Sequence, residues 1–173
     1  LRGLWTTHDS SWGTRPRPQG GHGVFRLNGL ILWRSRTLKV VADSTAHAET
    51  AEASAAAKST TFLRMVLEGV HRAVQGPSAM CGDNEASWKL VTKEGATSRS
   101  RHFERATILV KYAVMRLMVA CNLVGTSYCV VDILTKATDE ANFLKMRAIM
   151  RNIPLPGAVT AVDKAERIVR DPW

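Results

Sequence analysis

The stretch Ser78-Ala79-Met80-Cys81-Gly82-Asp83-Asn84-Glu85, "SAMCGDNE", sets a short apolar run directly against a carboxylate and an amide. Gly76-Pro77 breaks the chain just before it, so Ser78 to Cys81 is expected as a short strand, with a helix beginning near Asn84. An acid in this place stands at the carboxyl end of a strand, where sheets with crossover connections bind their ligands. Taken singly, Asp83 has an ordinary alternative as a helix N-cap.

Upstream, Gly3 to His8 is expected as a first strand ending at Asp9, followed by "SSWGTRPRPQGGHG" as an irregular connection. Val24 to Leu27 and Leu30 to Trp33 flank Asn28-Gly29, a strong short hairpin signal because both turn positions need positive φ. Leu38 to Ala42 is expected as a further strand after the basic "RSRT" turn. From about Thr45 to Val70 the pattern turns helical, capped by Ser44 or Thr45. The apolar stripe of this helix runs through Ala53, Ala56, Leu63, Val66 and Val70, and one more turn back along it lies Glu49.

Downstream, Phe103 to Val124 is long enough for a helix followed by a strand, with the break at Val114 to Leu117. "GTSY" makes a loop, "VVDILTK" opens a helical piece, and residues 139–152 pattern as a final amphipathic helix stopped by Pro154 and Pro156. The expected fold class is α/β: a mixed five-stranded sheet, three antiparallel strands then parallel strands joined by right-handed crossovers, flanked by helices. Residues 1–152 form the expected domain and residues 153–173 a C-terminal tail.

The 173 residues carry a net charge of +9, with 45% hydrophobic and 23% charged residues, an ordinary globular balance. The charge is uneven: residues 1–42 hold seven Arg or Lys against Asp9, residues 43–98 sum to −2, and residues 99–173 to +5. Such an excess favours polyanions, nucleic acid first, because each neutralised phosphate releases counterions. Cys81, Cys121 and Cys129 show no CxxC spacing, which argues against a disulfide framework or a structural zinc site and for reduced thiols in an intracellular protein, cytoplasmic or nuclear. No run approaches the roughly 18 apolar residues of a membrane span.

In this layout Asp9 ends the first strand, Asp83 ends the fourth, Glu49 comes from the early turns of the long helix and Asp132 follows the last strand. Four acids converging in a basic protein would repel one another unless cations bridged them, and such oxygen ligands suit Mg²⁺ or Mn²⁺. Two ions roughly 3.5–4 Å apart stabilise both the attacking and the leaving oxygen of an in-line phosphoryl displacement.

The fragments "THDSSW", "GLILWRSR", "STAHAETAEAS", "GDNEAS", "SRSRHFE", "VDILTK" and "FLKMR" recur in order over residues 5–150. Together they resemble the ribonuclease H domain of copia-type LTR retrotransposon polyproteins. The resemblance implies a ribonuclease H-like fold, with Asp9, Glu49, Asp83 and Asp132 as the catalytic residues holding two Mg²⁺ (Mn²⁺ as a substitute). It implies hydrolysis of the RNA strand of an RNA–DNA hybrid, leaving a 3′-hydroxyl and a 5′-phosphate, with the reverse transcriptase domain of the same polyprotein as a partner. Arg34, Arg36 and Lys39 are expected to grip the hybrid's backbone, with Arg99, Arg101 and His102 near the site and Asn84 orienting a ligand or capping the helix.

The chain departs from that family at four places. Ser11 stands where a second Asp is usual, Gly82 stands where Cys is usual, and the loop before Asp132 is the apolar Tyr128-Cys129-Val130-Val131 instead of polar. The mobile His that cellular ribonucleases H carry before their last Asp has no counterpart between Cys121 and Asp132. The alternative function is a catalytically inactive module of the same fold that binds nucleic acid or a partner protein. A retroviral-type integrase fits less well, because its Glu would lie on a late helix.

Overall fold

The computed structural model describes residues 3–13, 17–92 and 104–153. Five strands form one sheet: β1 (Leu4–Ser11), β2 (Gln19–Arg26), β3 (Gly29–Thr37), β4 (Ser78–Gly82) and β5 (Val119–Leu123). Their spatial order is β3-β2-β1-β4-β5, with the first three antiparallel and β4 and β5 parallel to β1 and to each other. This is the mixed five-stranded sheet expected from sequence. The helices are α1 (Thr45–Gly69), α2 (Glu85–Thr92), α3 (Glu104–Met115) and α4 (Glu140–Met150), with short 3₁₀ turns at Thr126–Tyr128 and Val130–Leu134.

Two cores lie on the two faces of the sheet. On one, Ala53, Ala56 and Ala57 of α1 pack with Met80, Val119, Val91, Val110 and Ala113. The small alanines let a helix lie close against the strands. On the other face Trp5, Phe25 and Ala79 meet Val130 and the α4 residues Met146 and Ile149. The Trp5 and Phe25 rings stack with centroids 4.0 Å apart, and burying each such side chain contributes about 1.5–3 kcal/mol.

Three local expectations are corrected. The hairpin turn is Leu27-Asn28, both with positive φ, one residue earlier than Asn28-Gly29, and Gly29 already pairs with Arg26. β3 runs straight through the "RSRT" segment to Thr37, so Leu38 to Ala42 is not a strand; Ser35 Oγ holds this end by donating 2.5 Å to Leu134 O. β2 begins at Gln19, inside the glycine-rich stretch read as a loop. Its glycines answer to close neighbours: a Cβ on Gly21 would stand 2.9 Å from Leu134 Cβ and Thr135 Cγ2.

α1 is capped by Ser44, whose Oγ accepts from His47 N. Its buried residues run from His47 to Thr60, while Val66 and Val70 are exposed. At 1.5 Å per residue a 25-residue helix outruns the strands beneath it, so the expected stripe ends where the sheet does. His47 is buried, with Nδ1 3.0 Å from Asp43 Oδ1. Farther along, Thr60 Oγ1 lies 2.6 Å from Thr6 Oγ1. A second polar tie is fully buried: Glu52 Oε1 lies 2.5 Å from His22 Nδ1 of β2, and the other ring nitrogen lies 2.9 Å from Ser59 Oγ.

α2 starts where expected, but its cap is Asn84, whose Oδ1 accepts from Ser87 N at 2.8 Å, and not Asp83. The carboxylate of Asp83 is thereby left for other work. The tail expected from residue 153 lies, apart from Ile153, outside the described residues.

Candidate active site

β1 and β4 run parallel with Thr7 opposite Cys81. Continuing that register two residues brings Asp9 level with Asp83, just past the end of β4. Ligating oxygens of Asp9, Glu49 and Asp83 lie within 4.8 Å of one another, and ligating atoms of Asp9, Asp132 and Cys129 form a second such group. All four expected acids therefore gather around Asp9. They come from a strand, a helix, a post-strand turn and a 3₁₀ turn, so no local preference assembled them; the tertiary fold did.

Asp9 lies inside β1, not at its end, and its carboxylate is buried. Burial first, and then the charge of Glu49, push its pKa up to about 6, against the lowering effects of Thr135 and Lys136. Thr135 Oγ1 donates to Asp9 Oδ2 in a short hydrogen bond. Lys136 Nζ stands 2.9 Å from Asp132 Oδ2 and 3.8 Å from Asp9 Oδ2. Burial works against the lysine's charge, but the two carboxylates outweigh it and raise its pKa.

Glu49 is fixed from one side: its Oε1 accepts from Ser10 N at 2.9 Å and from Ser10 Oγ at 3.0 Å. Its other oxygen, Oε2, has no hydrogen-bond partner, and the same holds for Asp132 Oδ1. Buried carboxylate oxygens without partners are costly. Hard, convergent and unsatisfied oxygens are the donor set that suits Mg²⁺ or Mn²⁺, so the residues present fit a divalent-ion site.

His8 lies beside this ring, with Nδ1 3.7 Å from Glu49 Oε2. A Cβ on residue 82 would stand 2.7 Å from His8 Cε1, so Gly82 makes room for the imidazole. The glycine at position 82, where the resembled family has Cys, thus has a local cause. Cys129 Sγ donates to His8 O at 3.5 Å and lies 3.7 Å from Thr7 Oγ1. Burial, followed by the charge of Asp9, holds its thiol pKa well above the ordinary value.

No protein-family model and no curated protein matches the sequence. Solved structures do match. RNase H1 from the halophilic archaeon Halobacterium salinarum NRC-1 superposes with a TM-score of 0.59 at 13% identity, over 76% of this chain and 93% of that one. The N-terminal RNase H domain of a Mycobacterium tuberculosis protein, solved as a fusion with maltose-binding protein, gives 0.60 at 10% identity over 84% and 99%. LC11-RNase H1 in complex with an RNA/DNA hybrid gives 0.57 at 9% identity over 76% and 93%. The fold is that of ribonuclease H.

The group formed by Asp9, Glu49, Asp83 and Asp132 lies where the parallel strands β1 and β4 adjoin, with Asp9 two residues inside the end of β1 and Asp83 just past the end of β4. Arg34 and Arg36 are not part of it; they lie on the edge strand β3, opposite His22 and Gly20 of β2. Arg36 instead lines a groove of about 310 Å³ with Lys39, Lys58 and Arg105. Arg99, Arg101 and His102 lie outside the described residues. The sequence reading missed Thr135 and Lys136 as neighbours of the acids. Their spacing of three and four residues after Asp132, inside "VDILTK", was the available signal.

Proposed function

We propose that the chain is an endonuclease of the ribonuclease H type, with Asp9, Glu49, Asp83 and Asp132 holding two Mg²⁺ and the RNA strand of an RNA–DNA hybrid as substrate. The observation that supports this most is the double membership of Asp9, whose carboxylate belongs to both ligating groups and could bridge two ions. Divalent ions held there would activate a water and neutralise charge at the scissile phosphate.

The chain's own residues supply position. Ser10 fixes Glu49 with its free oxygen left over for an ion, and Thr135 fixes the Asp9 carboxylate. Lys136 holds a positive charge between Asp9 and Asp132 in the unliganded site and is exposed enough to swing toward an incoming phosphate. The cationic groove of Arg36, Lys39, Lys58 and Arg105 would take backbone phosphates, with Arg34, Asn84, Arg99, Arg101 and His102 as further contacts. The hybrid would be recognised by groove shape and 2′-hydroxyls.

The retrotransposon setting, with a reverse transcriptase domain as partner, rests on the ordered sequence fragments quoted above, and an intracellular location on the three cysteines without disulfide or zinc spacing. Among the described residues no helix is long and apolar enough to cross a membrane.

The test uses a hybrid labelled in its RNA strand, incubated with the full chain in Mg²⁺ or in chelator, beside Asp83→Asn. Cleavage that needs the ion and disappears in the variant supports the proposal. Tight hybrid binding with no ion-dependent cleavage would establish the inactive binding module instead.

A further inference from the structure

The two ligating groups around Asp9 differ in chemistry. Asp9, Glu49 and Asp83 offer oxygen alone, whereas the group on the other side of Asp9 contains the Cys129 sulfur. Cys129 reaches this place through the 3₁₀ turn: Asp132 N donates to Cys129 O at 3.2 Å, and both side chains converge on Asp9. Cys129 is fully buried, in the apolar segment that stands where the resembled family is polar.

The carboxylate of Asp132, a residue only 8% exposed, is half satisfied: Oδ2 meets Lys136 Nζ at 2.9 Å, whereas the buried Oδ1 has no hydrogen-bond partner and is left for a ligand. Ion–sulfur bonds of about 2.3 Å and ion–oxygen bonds of about 2.1 Å set ligand atoms roughly 3.5 Å apart around a tetrahedral ion. The group lies within 4.8 Å, so its atoms would have to close by no more than about 1.3 Å to reach that spacing. Soft thiolate ligands select Zn²⁺ and its heavier relative Cd²⁺ over Mg²⁺, which prefers oxygen. Cys81 and Cys121 belong to neither ligating group.

We infer that Cys129, Asp9 and Asp132 form a thiophilic lobe of the ion site, able to capture Cd²⁺ or Zn²⁺ beside an all-oxygen lobe suited to Mg²⁺. The inference deepens the ion site of the proposed function. On capture a sulfur–metal bond forms, the thiol proton passes to solvent, and the Lys136 ammonium leaves its place beside Asp132. An ion so held shares the Asp9 carboxylate and would block the Mg²⁺ arrangement, making the protein sensitive to thiophilic cations.

The test is titration of the full chain with Cd²⁺, followed by the ultraviolet thiolate-to-cadmium charge-transfer band and by cadmium NMR. We expect a saturable band at one equivalent, retained in Cys81→Ser/Cys121→Ser and lost in Cys129→Ser, with a cadmium shift typical of mixed sulfur and oxygen ligands. Asp132→Asn should weaken binding at least tenfold. A band that persists in Cys129→Ser, no band in the unaltered chain, or unchanged affinity in Asp132→Asn would overturn the inference. The cadmium NMR of the unaltered chain decides the ligand type even if a variant fails to fold. None of these readouts requires cleavage, so a chain that binds Cd²⁺ through Cys129 but leaves hybrids intact would refute the proposed activity alone.

Discussion

Lys136 Nζ lies 2.9 Å from Asp132 Oδ2, so an ammonium stands within the acid ring where a divalent ion would compete with it. Replacing it should favour the ion. Lys136→Met is expected to lower the half-saturating Mn²⁺ concentration about twofold to fivefold, the scale allowed by up to ~1 kcal/mol for a part-exposed ion pair. Mn²⁺ titration followed by electron paramagnetic resonance measures it. An unchanged affinity would mean that the ammonium and the ion do not share this space.

The raised pKa of Asp9 sets the stability of the ion-free chain. Its folded value of about 6 lies above the ordinary 3.8, so the native state binds the extra proton. The stabilisation from that proton is complete below pH 3.8 and is lost as pH rises through about 6, amounting to at most about 3 kcal/mol. In chelator, Asp9→Asn should therefore raise the melting temperature above pH 6 and flatten its dependence between pH 4 and 6. A steeper profile in the variant would contradict this assignment.

Gly82→Ala should cost about 1–3 kcal/mol in urea denaturation, because its methyl group would overlap the His8 ring. His8→Ala in the same chain should recover most of that loss, a non-additivity that marks direct contact. Additive losses would place the strain elsewhere.

The buried pair His22 and Glu52 joins β2 to α1 at 2.5 Å. His22→Ala leaves the Glu52 carboxylate in the interior without its partner, and the expected loss is about 3–5 kcal/mol. Thermal and urea denaturation report it; a loss under 1 kcal/mol would show that water replaces the imidazole at no cost.

Much of this architecture was legible in the sequence where one physical cause dominates. The long Ala-rich helix, the short strand at Ser78 and the helix-to-strand switch before Val119 follow from periodicity and breakers. The convergence of the four acids was legible from the order of the elements that carry them, though Asp9 lies two residues inside β1 and not at its end. β2 was not, since Gly20, Gly21 and Gly23 carry the signature of a loop, and their need appears only when Glu52 crowds Gly20, Leu134 and Thr135 crowd Gly21, and Leu30 crowds Gly23. The stripe on α1 was overextended to Val66 and Val70 because periodicity does not reveal where the underlying sheet stops. Lys136 carried a spacing signal four residues after Asp132, whereas the approach of His8 to Glu49 and of Cys129 to Asp9 joins segments far apart in the chain, which spacing does not encode.

The central claim is that the Asp9-centred ring is one divalent-ion site that cleaves RNA in a hybrid. The most direct measurement is the single-turnover rate of RNA-strand cleavage in Mg²⁺ by the unaltered chain and by Asp9→Asn, with folding of both verified by circular dichroism. The account predicts ion-dependent cleavage that falls by about a hundredfold or more in the variant, the scale of removing one preorganised charge contact. Equal rates in the two proteins, or RNA cleavage that survives chelation, would contradict it.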